Sequence, residues 1–164
     1  MLPEDIDKDG FLGDLLRVLV RSLQDTIGLE NVQQFVAIAG SSLGDRINRA
    51  YCNSLAVAKL SRAQIAQVMI DFKSRIGGRF YVIAEDNRHI ELGNKSCPFG
   101  ERAVGCEGLC MMTTNVFGVI AAENTGYSRV FVKESIARGD PECRVIIHLD
   151  PDNNAQGTEF FATS

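Results

Sequence analysis

"RFYVIAEDNRHIELG", residues 79–93, is where the chain changes its period. Upstream, apolar residues recur every three or four positions, as one face of a helix requires. From Phe80 onward the run is short, aromatic and β-branched, which suits a strand. Asp86-Asn87 is a turn pair, since both side chains can bond the backbone just ahead of them. "RHIELG" then reads as the returning strand. The stretch is predicted to be a β-hairpin, and a hairpin after helices excludes an all-helical fold.

Working upstream, "FLGDLLRVLVRSLQDTIG" (11–28) places Leu12, Leu15, Leu16, Leu19 and Leu23 on one helical face and stops at Gly28. "ENVQQFVAIAGSSLGDRINRAY" (30–51) repeats the pattern from Val32 through Val36, Leu43 and Ile47. Its Gly40, Ser41 and Ser42 are poor helix formers that permit close packing or a small ligand. "SRAQIAQVMIDFKSRIGG" (61–78) opens on the N-cap residue Ser61 and closes on Gly77 and Gly78. Downstream, "LCMMTTNVFGVIAAENTG" (109–126) reads as a fourth helix. "YSRVFVKES" (127–135) and "CRVIIHLD" (143–150) read as strands joined by the turn-rich "IARGDPE". The order is α-α-α-β-β-α-β-β, which predicts an α+β domain with helices packed on a mostly antiparallel sheet. Residues 1–150 are expected to form one domain. "PDNNAQGTEFFATS" (151–164) has no period and reads as a polar tail or the start of a linker.

The 164 residues suit one hydrophobic core. A net charge of −4 with no basic run argues against nucleic acid as a partner of this chain. No apolar stretch approaches the ~20 residues that span a bilayer, and the acidic start "MLPEDIDKDG" is unlike a secretory signal. A cytoplasmic protein without a membrane role is expected, and there clustered cysteines point to metal or redox chemistry more than to structural disulfides.

Four cysteines stand out: Cys97, Cys106, Cys110 and Cys143, spaced C-x8-C-x3-C-x32-C. Thiolates are soft ligands for zinc or an iron–sulfur cluster, and four can close a site. Glycines at 100, 105 and 108 let the loop wrap tightly, and Cys110 stands at a helix start, where negative charge is favoured. The spacing lacks the paired C-x2-C of a zinc knuckle. Reduced thiols, a reversible disulfide or plain core packing are equally compatible with it. Cys52 reads as a core residue, and His89 and His148 read as structural or surface residues. Glu134 is a candidate supporting or alternative ligand near Cys143, and Asp140 reads as a turn residue. Asp5, Asp7, Asp9 and Gly10 match the first half of a calcium loop, but Leu16 stands where the bidentate Glu belongs. The stretch reads instead as an acidic helix lead-in. No nucleotide loop, G-x-S-x-G elbow or Ser/His/Asp set is present, so no catalytic constellation is evident.

"FVAIAGSSLGDRINRAY" (35–51) resembles the glycine-containing helix of the vinyl-4-reductase domain, and "VFVKESIARGDPECRVII" (130–147) resembles its closing acidic and cysteine motif. "CPFG", "LCMMTTNVFGVIAAENTGY" and "ESIARGDPECRV" are more closely similar to the methanogen output domain of signalling proteins. The resemblance spans about residues 10–150. It implies a sensory or regulatory module, often dimeric, often fused to a kinase, cyclase or transcription-factor output domain. It also implies a hydrophobic or aromatic ligand held between helices and sheet, and in some relatives a cysteine-bound zinc. Cys143 matches the closing cysteine and Glu134 the acidic residue, while Ser135 stands where some relatives carry a further cysteine.

Three functional expectations follow. The first is a sensor, a homodimer in this reading, whose Cys97, Cys106, Cys110 and Cys143 hold zinc or an iron–sulfur cluster and relay a change to a signalling partner. The second is a metal-free module with a small hydrophobic ligand in a pocket lined by Phe35, Val68, Phe72, Met112 and Phe117. The third is a thiol-based redox protein using Cys110.

Overall fold

The computed structural model describes residues 7–152 and 154–163, and the hairpin forms where the sequence places it. Strands β1 (Phe80–Glu85) and β2 (His89–Asn94) pair antiparallel. The Asp86 carboxylate makes the turn, accepting the Arg88 and His89 N–H groups at 2.7 and 2.9 Å. Three helices precede it: α1 (Lys8–Ile27), α2 (Leu29–Ser54) and α3 (Arg62–Arg75). The acidic lead-in acts as a cap, because Asp7 accepts the Gly10 N–H at 2.7 Å. Asp5, first position of the calcium-like pattern, lies outside the described residues. Gly28 alone separates α1 from α2, with φ +80°, a region that glycine enters without the steric cost of a Cβ. Ser61 begins α3 with a capping box, exchanging bonds with Gln64.

Helix α4 (Glu107–Thr125) and strands β3 (Tyr127–Glu134) and β4 (Cys143–His148) complete the expected order. The expected α+β class is borne out, and every pairing in the sheet is antiparallel. One element is added. Residues 158–161 were expected to lie in a tail; they form a fifth strand, β5 (Thr158–Phe161), paired with β3. The strand order is β1-β2-β4-β3-β5. A four-residue edge strand shows no alternation, and its stability comes from partners distant in sequence. Here the partners are Tyr127, whose ring meets Phe161 edge-on at 5.5 Å, and Arg129, paired with Glu159.

Helix α4 is apolar nearly all round, as a helix buried on both sides must be. It lies between α2 and the sheet. Phe117, Ile120 and Ala121 face Ile90, Leu92, Val130, Val145 and Ile147 in the main core. Burial along β4 alternates, with Cys143, Val145 and Ile147 inward. On the other side, α2 approaches α4 through Gly40 and Gly44. A Cβ on Gly44 would stand 2.9 Å from that of Val119, and one on Gly40 would collide with the Asn115 side chain. Gly40→Val is therefore expected to cost about 1–3 kcal/mol, as overpacking does, read as a lower urea midpoint at unchanged m-value.

Candidate functional site

The cysteine loop leaves β2 at Asn94, whose buried side chain holds the exit. Its Oδ1 accepts the Arg79 and Ser96 N–H groups at 3.0 and 3.2 Å. Removing a buried acceptor orphans two donors, so Asn94→Ala is expected to cost about 1–3 kcal/mol in chemical unfolding. The loop passes Cys97, makes a 3-10 turn at Gly100–Ala103, and enters α4 from Cys106. Cys110 lies in the first turns of that helix. Its Sγ is 3.4 Å from the buried Ser135 Oγ at the end of β3. A second 3-10 turn, Ile136–Arg138, follows, and Gly139 reverses the chain at φ +94°. The Ile136 N–H points at Cys143 Sγ, 3.4 Å away. Asp140 accepts the Ser135 N–H at 2.7 Å, the turn role expected of it.

These elements enclose a chamber of about 30 Å³ lined by Phe80, Asn94, Cys97, Pro98, Phe99, Leu109, Cys110, Thr113, Val132, Ser135, Cys143 and Val145. Three of the four predicted thiols thus share one space. Cys106 is buried but does not line it; the Arg17 and Arg21 guanidiniums of α1 act on its sulfur. Burial pushes the Cys97, Cys106 and Cys143 thiols up. Among the described residues no three of His, Cys, Asp and Glu are placed to hold one metal ion. Glu134 stands opposite Arg144 in the β3–β4 register and does not line the chamber.

Lys73 has no counterpart among the residues singled out from sequence. It is 4% exposed, on the inner side of α3. Its Nζ donates to Thr113 Oγ1 at 2.7 Å and lies 5.4–5.6 Å from the ring centres of Phe117, Phe72 and Phe80. Burial lowers its pKa to about 8, opposed by the Cys97, Cys110 and Cys143 thiols.

Beyond Cys110 and Ser135 lies a second, larger space of about 660 Å³, an open groove between α2, α4 and β3. Gln33, Gln34 and Ala37 line it from α2, Met111, Thr114 and Asn115 from α4, and Val130, Phe131 and Val132 from β3. Cys110, Val132 and Ser135 belong to both spaces, so only a narrow wall divides them. The pocket residues read from sequence fall elsewhere. Val68, Phe72, Met112 and Phe117 gather in or against the core, Phe35 is 58% exposed on α2, and none lines the groove or the chamber. The cavity faces Met111 and Thr114, one helical step from Met112.

A sheet capped by α4, with α2 laid across it and a polar-edged cavity between, is a fold in which a ligand can sit against the sheet. The chain belongs to the methanogen output domain 1 family, whose family model matches residues 15–148. No curated protein matches it. Among solved structures it is similar to the phenol-responsive sensory domain of the transcription activator PoxR, determined with phenol. That likeness has a TM-score of 0.65 at 16% identity over 85% of this chain and 82% of that one. It is also similar to trafficking protein particle complex subunit 3 from Naegleria fowleri, covalently bound to palmitic acid. There the TM-score is 0.56 at 12% identity, covering 86% of this chain and 96% of the other. At such identities the likeness is one of fold. Among the described residues, no helix is long and apolar enough to cross a membrane.

Proposed function

We propose that this chain is a ligand-sensing regulatory domain, and that the groove between α2, α4 and β3 takes up a small molecule with an apolar body. The observation that carries this is the groove itself. Its volume of about 660 Å³ falls within the ~300–1,000 Å³ of small-molecule sites, and it shares the wall of Cys110, Val132 and Ser135 with a smaller, chemically distinct chamber. Two proteins of the same fold, one determined with phenol and one carrying palmitic acid, support an apolar occupant. Because α2 forms one wall and meets α4 through Gly40 and Gly44, an occupant alters how α2 lies on α4. Helix α1, joined to α2 by Gly28, carries that change to a fused or separate output domain.

In this reading a second copy of the chain covers α1. No residue of α1 is buried, and Phe11, Leu15, Leu16 and Leu19 are exposed on it. Light scattering is expected to give twice the chain mass, reduced to the single mass by Leu15→Glu with Leu19→Glu.

The ligand reading is tested with phenol as probe. Ala37→Trp fills the groove from a half-exposed position without touching the core. Wild-type melting temperature is expected to rise with phenol concentration, as binding to the folded form requires, and the Trp variant's is not. Equal responses in both proteins would remove the groove as the site.

A further inference from the structure

The groove has volume, and behind two residues of the chamber wall, Thr113 and Phe80, lies a buried charge, Lys73, which does not itself line the chamber. We infer that the ligand is an acid: a carboxylate on an apolar body, its head in the chamber at Thr113, on the side of the wall behind which Lys73 lies, and its body in the groove. This rests on the groove being the ligand site and adds the chemical class of what it takes.

An ammonium carries three donors and a full charge, and buried lysines are normally paired. Among the described residues Lys73 has one hydrogen bond, to a neutral hydroxyl, and three aromatic rings around it. The groups that favour its charged form are the thiols of Cys97, Cys110 and Cys143; no carboxylate is among them. Two of those thiols, Cys97 and Cys143, are pushed up by burial and are neutral near pH 7. Among the described residues no carboxylate matches the enclosed charge, an arrangement that costs stability unless something else supplies an anion.

The chamber's walls fit that something. Thr113 and Phe80, which touch Lys73, are chamber residues. Thr113 accepts from the ammonium, which leaves its own O–H to donate. The Asn94 carbonyl oxygen is taken by two backbone N–H groups, and its amide faces the Cys143 sulfur, which leaves one of the two amide hydrogens to donate. The remaining lining is mainly apolar. About 30 Å³ accommodates one group the size of a water or a carboxylate head, and not a whole ligand. The body would extend past Cys110 and Ser135, whose side chains meet at 3.4 Å and divide the chamber from the groove.

The test is isothermal titration of the full chain with benzoate and octanoate against benzyl alcohol and octanol, in wild type and in Lys73→Met. Lys73→Gln serves as the second variant should the first fail to give the wild-type circular-dichroism spectrum. The expected result is at least tenfold tighter binding of an acid than of its alcohol in wild type, with the preference lost in the variant. Benzoate against octanoate then tells an aromatic acid from an aliphatic one. If the alcohols bind as tightly as the acids, or the preference survives at position 73, the inference falls while the groove remains a ligand site. If neither acids nor alcohols bind, the groove reading fails and the inference with it.

Discussion

Phe117→Ala is expected to destabilise the domain by about 3–5 kcal/mol, the range for emptying a buried aromatic site. Phe117 is fully buried on the side of α4 that faces the sheet. Its ring meets Phe80 edge-on at 5.5 Å and forms one wall of the Lys73 cage at 5.4 Å. The truncation removes core volume, an aromatic pair and part of what surrounds a buried cation. A domain of this size has roughly 5–15 kcal/mol in all, so the variant should be unfolded at a much lower urea concentration. A loss under about 1 kcal/mol would mean that α4 is not the centre of the core.

Lys73→Met is expected to act in the opposite direction near neutral pH, and its effect should depend on pH. The folded-state pKa of Lys73 is lowered to about 8, from 10.5 for the free side chain, chiefly by burial. A base whose pKa falls on folding binds its proton less well in the native state. Its cost is complete below pH 8 and is relieved as the pH rises toward 10.5. At pH 7 the Met variant is expected to be the more stable protein, and its advantage should shrink by about 3 kcal/mol between pH 7 and pH 10.5. The raised thiols of Cys97, Cys106 and Cys143 change stability the other way over this range. They are present in both proteins, so the difference reads Lys73 together with its coupling to the neighbouring thiols, of which Cys97 loses the ammonium that lowers it. A difference that is flat with pH would place the ammonium in contact with solvent or with an anion.

These two residues also mark how far the sequence could be read. Phe117 sits in an apolar helix and reads as interior at once. Lys73 reads as a surface charge, yet it continues the i, i+4 series Ile65, Met69, Lys73, two members of which are fully buried. That spacing was the available signal, and the usual exposure of lysine hides it. The hairpin was legible because Asp86 makes the turn by local bonds. The convergence of Cys97, Cys110 and Cys143 was legible in part, since a loop, a helix start and a strand start can meet. That Cys106 turns toward α1 was not, because Cys106 is the non-helical cap of α4 and so does not share the helix face of Cys110. The pocket lay one residue from Met112 because sequence shows that α4 is apolar all round, but not which side faces a cavity. β5 was hidden because four residues carry no period of their own.

The claim at the centre is that a small molecule enters between α2, α4 and β3. The most direct measurement is a ¹H–¹⁵N correlation titration of the labelled domain with phenol and with octanoate. The account predicts saturable shifts at Met111, Thr114, Val132 and Ser135, absent in Ala37→Trp, with smaller shifts along α1. Shifts that never saturate, or that centre on the exposed face of α1 and leave the groove unchanged, would contradict it.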